Sequence, residues 1–163
     1  DDYCACVPAR EPADAVSVPA LMRAARGAYG HAIRERLARA GYDDLPRNAP
    51  YILGGMANHG VPPSRLVREL GVSKQAAAQL VDALVLRGYL ERRADPDDRR
   101  RITVELTERG TAAAAEVRAA IGEVDERLAG MLTDAQLRGL RAGLVALTAI
   151  REEMEDAMRG GSV

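Results

Sequence analysis

Phenylalanine and tryptophan are absent from the 163 residues, and five tyrosines supply all the aromatic surface. Any binding cavity here must be walled by tyrosine, methionine and aliphatic groups, which argues against an aromatic-rich cage. Cysteine is nearly absent: Cys4 and Cys6 stand one residue apart near the start. Two such thiols make no disulfide framework, and no second Cys/His cluster completes a zinc site. They read as part of a surface tail, with a thiol-based redox switch as the alternative. Lysine is reduced to Lys74, the rest of the 23 basic side chains being arginine. No uncharged apolar run approaches the roughly 18 residues of a membrane span, and no basic-then-apolar leader is visible. The expectation is a cytoplasmic protein with no membrane partner. No Gly-rich phosphate loop, metal-binding histidine pair or nucleophile elbow occurs, so no cofactor, metal or enzyme activity is expected. An excess of one charge is missing too, with a formal net charge of −1. A basic total would have pointed to nucleic acid; here that argument has to come from position.

What is present is a globular balance, 47% apolar and 29% charged, in a length suited to one domain. Residues 1–17 carry Pro8 and Pro12 with no apolar period and read as a tail. Pro19 suits a helix start, and Met22, Ala25, Tyr29, Ile33, Leu37 and Ala40 recur at helical steps up to a closing Gly41. After a polar loop, a short helix is expected over Ala49–Asn58. Ser64–Leu70 and Ser73–Arg87 read as two helices split by Gly71-Val72, with Leu66 and Leu70 meeting Ala77, Leu80, Val81 and Leu84. Ser73 is the expected N-cap and Gly88 the C-cap. The period then changes to two. Tyr89–Arg93 and Ile102–Leu106 predict a β-hairpin around a turn of Asp, Pro and Arg. Thr107 opens a helix running through Val117, Ile121, Val124 and Leu128 to Leu132. Thr133 and Gln136 fit a capping box, and the last helix repeats Leu137, Leu140, Leu144, Leu147 and Met154. Its other side holds Ala142, Val145, Ala149 and Ile150. A helix apolar beyond one stripe is buried from several directions, and in so small a chain a second subunit is the economical source.

The expected fold is mainly α with a small β-hairpin wing: a winged helix-turn-helix with flanking dimerisation helices. Its organisation is a tail (1–17), N-terminal helices (18–60), the winged region (61–110), C-terminal dimerisation helices (111–159) and a tail (160–163). The second helix of a helix-turn-helix lies in the major groove. Its outward residues here are Lys74, Gln75, Ala78, Gln79 and Asp82. Gln pairs with adenine, Lys reaches guanine or phosphate, and Ala78 is small enough to meet a thymine methyl. Ser64 and Ser73, at helix starts, can hold phosphates. Arg99, Arg100 and Arg101 at the hairpin tip suit a narrow, electronegative minor groove, and Asp98 can hold an arginine two residues on. Residues 60–110 hold ten basic and eight acidic side chains, whereas 111–163 hold six and nine. A slightly basic reading lobe is therefore masked by an acidic one.

Leu80-Val81-Asp82-x-Leu84, Arg87-Gly88-Tyr89-Leu90-x-Arg92, Asp95-Pro96-x-Asp98-x-Arg100 and Leu106-Thr107-x-x-Gly110 together strongly resemble the MarR family of bacterial winged-helix regulators. The resemblance implies a homodimer on a pseudo-palindromic DNA operator, with recognition helices in major grooves and wings over the minor groove. It implies Asp98 and Arg100 as the wing pair, supported by Arg99 and Arg101. It also implies repression released by a small-molecule effector, often an aromatic or phenolic acid. Polar candidates for that site are Arg26, Tyr29, His31, Tyr51 and His59. Met22, Val117, Ile121, Leu140, Leu144 and Leu147 are expected at the dimer interface. Cys4 and Cys6 do not align with the family's oxidant-sensing position near the first helix. A protein-interaction module without DNA binding is the competing reading, and Lys74, Gln75, Gln79 and the wing arginines argue against it.

Overall fold

The computed structural model describes residues 16–59, 73–94 and 102–160. The Cys4/Cys6 tail, the helix expected over 64–70 and the wing tip lie outside the described residues. So do Ser64, Asp98, Arg99, Arg100 and Arg101.

Helix α1 spans Val18–Arg39, entered from an extended Ser17 with proline in the first turn. Its end is a Schellman closure: Gly41 takes φ of +82°, its N–H donates to the Ala38 carbonyl, and the Tyr42 N–H donates to the Leu37 carbonyl. Helix α2 spans Ala49–His59 and α3 spans Lys74–Leu86. The α3 closure repeats the device. Gly88 takes φ of +72° and donates to Val85, and the Tyr89 N–H donates to Leu84. Both motifs deliver the tyrosine after the glycine onto the core, where the rings of Tyr42 and Tyr89 stand 6.1 Å apart and tilted.

Strands β1 (Leu90–Ala94) and β2 (Ile102–Leu106) pair antiparallel, from Leu90 opposite Leu106 to Ala94 opposite Ile102. The register puts Leu90, Arg92, Val104 and Leu106 on one side and Glu91, Arg93, Thr103 and Glu105 on the other. Helix α4 spans Glu108–Met131 and α5 spans Asp134–Gly160. The chain divides into two compact units at Gly122, within α4.

In the first unit the core gathers Leu37, Ala49, Ile52, Leu53, Leu84, Tyr89, Leu90, Ala113, Ala114 and Val117. Small residues permit its close approaches. A Cβ on Gly54 would already touch the Val117 side chain at 3.5 Å. An ion pair of 2.7 Å between Arg36 and Glu116 ties α1 to α4 beside this core. Val117, expected at a dimer interface, is 2% exposed inside this single-chain core, and Ile121 is half-buried against it. Gly54 of α2 lies against Val117, so the single chain already buries that side chain, while Ile121 is left half-buried. The α1 stripe is likewise buried only in its second half, at Ile33 and Leu37, while Leu21 and Met22 are exposed.

In the second unit the capping box forms as the sequence requires. The Thr133 N–H donates to Gln136 Oε1 at 2.9 Å, and the Gln136 N–H donates back to Thr133 Oγ1. Along α5, Leu140, Leu144, Val145, Leu147, Ile150, Met154 and Met158 are all exposed.

Candidate nucleic-acid interface

Helix α3 has two faces with different fates. Leu84 is buried, and Ala77, Leu80 and Val81 pack half-buried against the core. That anchorage leaves Lys74, Gln75, Ala78, Gln79 and Asp82 exposed together on the other side. Ser73 Oγ accepts the Ala76 N–H at 3.2 Å. It therefore serves as the N-cap, and its hydroxyl proton can still be donated to a phosphate. The free N–H groups of the first turn, next to Lys74, make this end of the helix favourable for an anion.

The hairpin stands beside this helix. Arg92 lies on the side of the sheet that carries buried Leu90, and its guanidinium donates to the Asp82 carboxylate of α3. Asp82 is thus both on the outward face and partnered by the wing strand. On the opposite side, Arg93 pairs with Glu91 at 2.7 Å and lies 3.6 Å from Glu105. The hydrogen bond to Glu91, reinforced by both carboxylates, raises the Arg93 pKa further above its usual value.

The wing is rooted in a polar knot. The Thr107 hydroxyl donates to the Gly88 carbonyl at 2.6 Å, and the Thr107 N–H donates to the Tyr89 carbonyl at 3.1 Å. The Tyr89 hydroxyl donates to Asp44 at 2.5 Å. Arg109 donates to Asp44, to the Arg87 carbonyl and to the Tyr89 hydroxyl, and its guanidinium carbon sits 4.3 Å from the Tyr89 ring centre. Burial first, then the hydrogen bond to Asp44, pushes the Tyr89 phenol up to about 12. The same hydrogen bond, with the Arg109 charge, holds the Asp44 carboxyl below its usual value. One cluster thereby joins the loop after α1, the end of α3, the start of β1 and the first turn of α4. The repeated Gly-Tyr at two helix ends could have flagged the tyrosines, but the Asp44 and Arg109 partnership has no sequence signal.

The other sequence candidates are dispersed. Arg26, Tyr29 and His31 lie on α1, with Arg26 and His31 exposed and Tyr29 half-buried. The His31 imidazole stands 3.9 Å from Glu35, one turn along its own helix. Tyr51 lies exposed on α2, and the His59 side chain is outside the described residues. No helix among the described residues is long and apolar enough to cross a membrane.

Residues 43–101 match the family model described as "MarR family". The transcriptional repressor MprA of Escherichia coli K12 is 41% identical over 58 residues, 36% of this chain and 33% of the relative. The chain thus spans about a third of the length of that curated relative. Among solved structures, the S. aureus MepR–DNA complex superposes with a TM-score of 0.65 at 17% identity, covering 82% of this chain and 98% of that one. S. aureus MepR bound to ethidium bromide gives 0.55 at 16% identity, covering 83% and 97%. At such identities the likeness shows the fold alone. The family match adds what the fold cannot: over residues 43–101 the chain is similar to the MarR family.

Proposed function

We propose that this protein is a homodimeric repressor that binds a pseudo-palindromic DNA operator and is released by a small-molecule effector. The observation that carries the reading is α3. Its inner side is fixed in the core while Lys74, Gln75, Ala78 and Gln79 stand exposed together beside a two-stranded wing. Glutamine and lysine on such a face can read base edges, and the helix start can hold phosphate. Arg99, Arg100 and Arg101 are the proposed minor-groove contacts, with Asp98 as the proposed partner of Arg100 and with Ser64 and Ser73 as phosphate contacts. Repression follows the likeness to MprA, and DNA binding the likeness to MepR in its DNA complex. An effector site is supported by the MepR structure with ethidium bromide. Arg26, Tyr29, His31, Tyr51 and His59 remain its candidate residues, with an aromatic or phenolic acid as the proposed ligand class. Met22, Leu140, Leu144 and Leu147 are the proposed dimer contacts, because each is exposed in the single chain. The site of action is the bacterial cytoplasm, on the nucleoid.

The test is a footprint of the full chain on DNA flanking its own gene, followed by binding isotherms at increasing salt. Two protected half-sites about one helical turn apart and an affinity that falls steeply with salt are expected. A flat salt response, or no protection of any duplex, overturns the reading in favour of a protein-interaction module.

A further inference from the structure

We propose that Asp82 is a specificity-determining residue that restrains non-specific DNA binding by holding Arg92. This rests on the DNA-binding reading above and deepens it. Asp82 follows Ala78 and Gln79 by four and three residues, so it shares their side of α3. It is the acid among the five outward residues. A carboxylate on a surface that meets a polyanion costs affinity wherever it sits. Its position therefore calls for a reason other than grip.

Stability does not supply one. The side chains of Arg92 and Asp82 are 46% and 60% exposed, and pairs in that setting contribute at most about 1 kcal/mol. The pair matters through what it competes with. The register places Arg92 on the sheet side of Leu90 and Val104, which brings its guanidinium to α3. To reach a phosphate, Arg92 must leave Asp82. The same arrangement recurs on the other side of the hairpin, where Arg93 lies between Glu91 and Glu105, two residues directly opposite in register. Both described arginines of the hairpin are tied to internal carboxylates.

Non-specific binding is supplied almost wholly by phosphate contacts, and an arginine neutralised within the protein brings less to them. Operator binding adds base contacts from α3 that do not draw on Arg92. Those base contacts also fix the register, so a released Arg92 finds only the phosphate that register puts near it. On unrelated DNA the protein can settle wherever the freed arginine is satisfied. The tether therefore weakens unrelated sites more than the operator.

The test measures binding of the full chain to a duplex of unrelated sequence across a salt series. Asp82→Asn is expected to tighten that binding about tenfold at low salt and to steepen the salt slope by about 0.9, the value for one added phosphate contact. The gain on the footprinted operator should be smaller. In an Arg92→Gln background Asp82→Asn should gain little, because no arginine is left to release. Unchanged or weaker binding to unrelated DNA overturns the proposal. So does an equal gain without Arg92, which would make Asp82 a simple repulsive charge. A loss confined to the operator also overturns it, by making Asp82 a direct reader of cytosine. If the parent protein binds no duplex at all, the DNA-binding reading itself falls and this inference falls with it. Structural damage cannot mimic the expected gain.

Discussion

Replacing Gly110 with alanine puts a methyl carbon into occupied space. A Cβ built there lies 2.0 Å from the Tyr89 carbonyl oxygen and 3.1 Å from the Leu106 side chain. A tolerated carbon–oxygen contact needs about 3.3 Å, so the two backbones must separate by roughly 1.3 Å. The oxygen has little freedom to move, because it accepts from the Thr107 N–H at 3.1 Å. Overpacking of this kind costs about 1–3 kcal/mol, and the weakened hydrogen bond about 1 kcal/mol more. Alanine returns about 1 kcal/mol of helix propensity. The net expectation is a loss of about 1–3 kcal/mol from a total of about 5–15. Urea unfolding followed by far-UV circular dichroism reads this directly, at fixed protein concentration because association shifts the midpoint. Gly122→Ala is the control, since nothing lies within 4 Å of its Cβ position. It should be neutral or up to about 1 kcal/mol more stable. A Gly110→Ala protein within about 0.5 kcal/mol of the parent would refute the reasoning, since uncertainty in the hydrogen-bond values cannot absorb so large a clash.

Tyr89→Phe keeps the buried ring but removes the hydroxyl bonded to Asp44 and Arg109, and should cost about 1–2 kcal/mol in the same assay. Because the Tyr89 pKa is raised from 10 to about 12, its contribution to stability is complete below pH 10 and lost as pH rises toward 12. An ultraviolet phenolate titration should show Tyr89 ionising late, moved only partway back by Asp44→Asn because burial is the larger cause. Asp44 has the opposite sign. Its contribution is present above the usual carboxylate pKa and lost as pH falls through the depressed one, so the acid limb of stability should shrink in Asp44→Asn. Ser73→Ala removes the cap on α3 and should cost about 1 kcal/mol by chemical denaturation. Leu144→Glu places a charge on the exposed apolar side of α5; sedimentation should then show monomer, and an unchanged dimer would move the interface elsewhere.

Period and caps were enough to locate most elements. Steps of three and four gave α1, α2, α3, α4 and α5 their places, and alternation in Ile102–Leu106 gave the hairpin. Ser73, Gly41, Gly88 and the Thr133/Gln136 box all act where their chemistry predicts, because a cap depends on atoms within four residues. The outward set on α3 was legible for the same reason. Val117 was not: its stripe is equally suited to a partner subunit or to the chain's own core, and only the close approach of α2 through Gly54 decides between them.

The sequence by itself determined the helical and strand segments, the helix closures and which residues of α3 face outward. Each of these follows from local sterics and from the period of the apolar residues. Only the tertiary structure decided that Asp82 meets Arg92, that Gly110 lies against the Tyr89 carbonyl, and that Asp44 and Arg109 close on one phenol. Those contacts join residues ten or more positions apart along the chain, with no periodic trace. The last helix shows the same division. Its leucine repeat is written in the sequence, but that the chain leaves it exposed is a property of the fold.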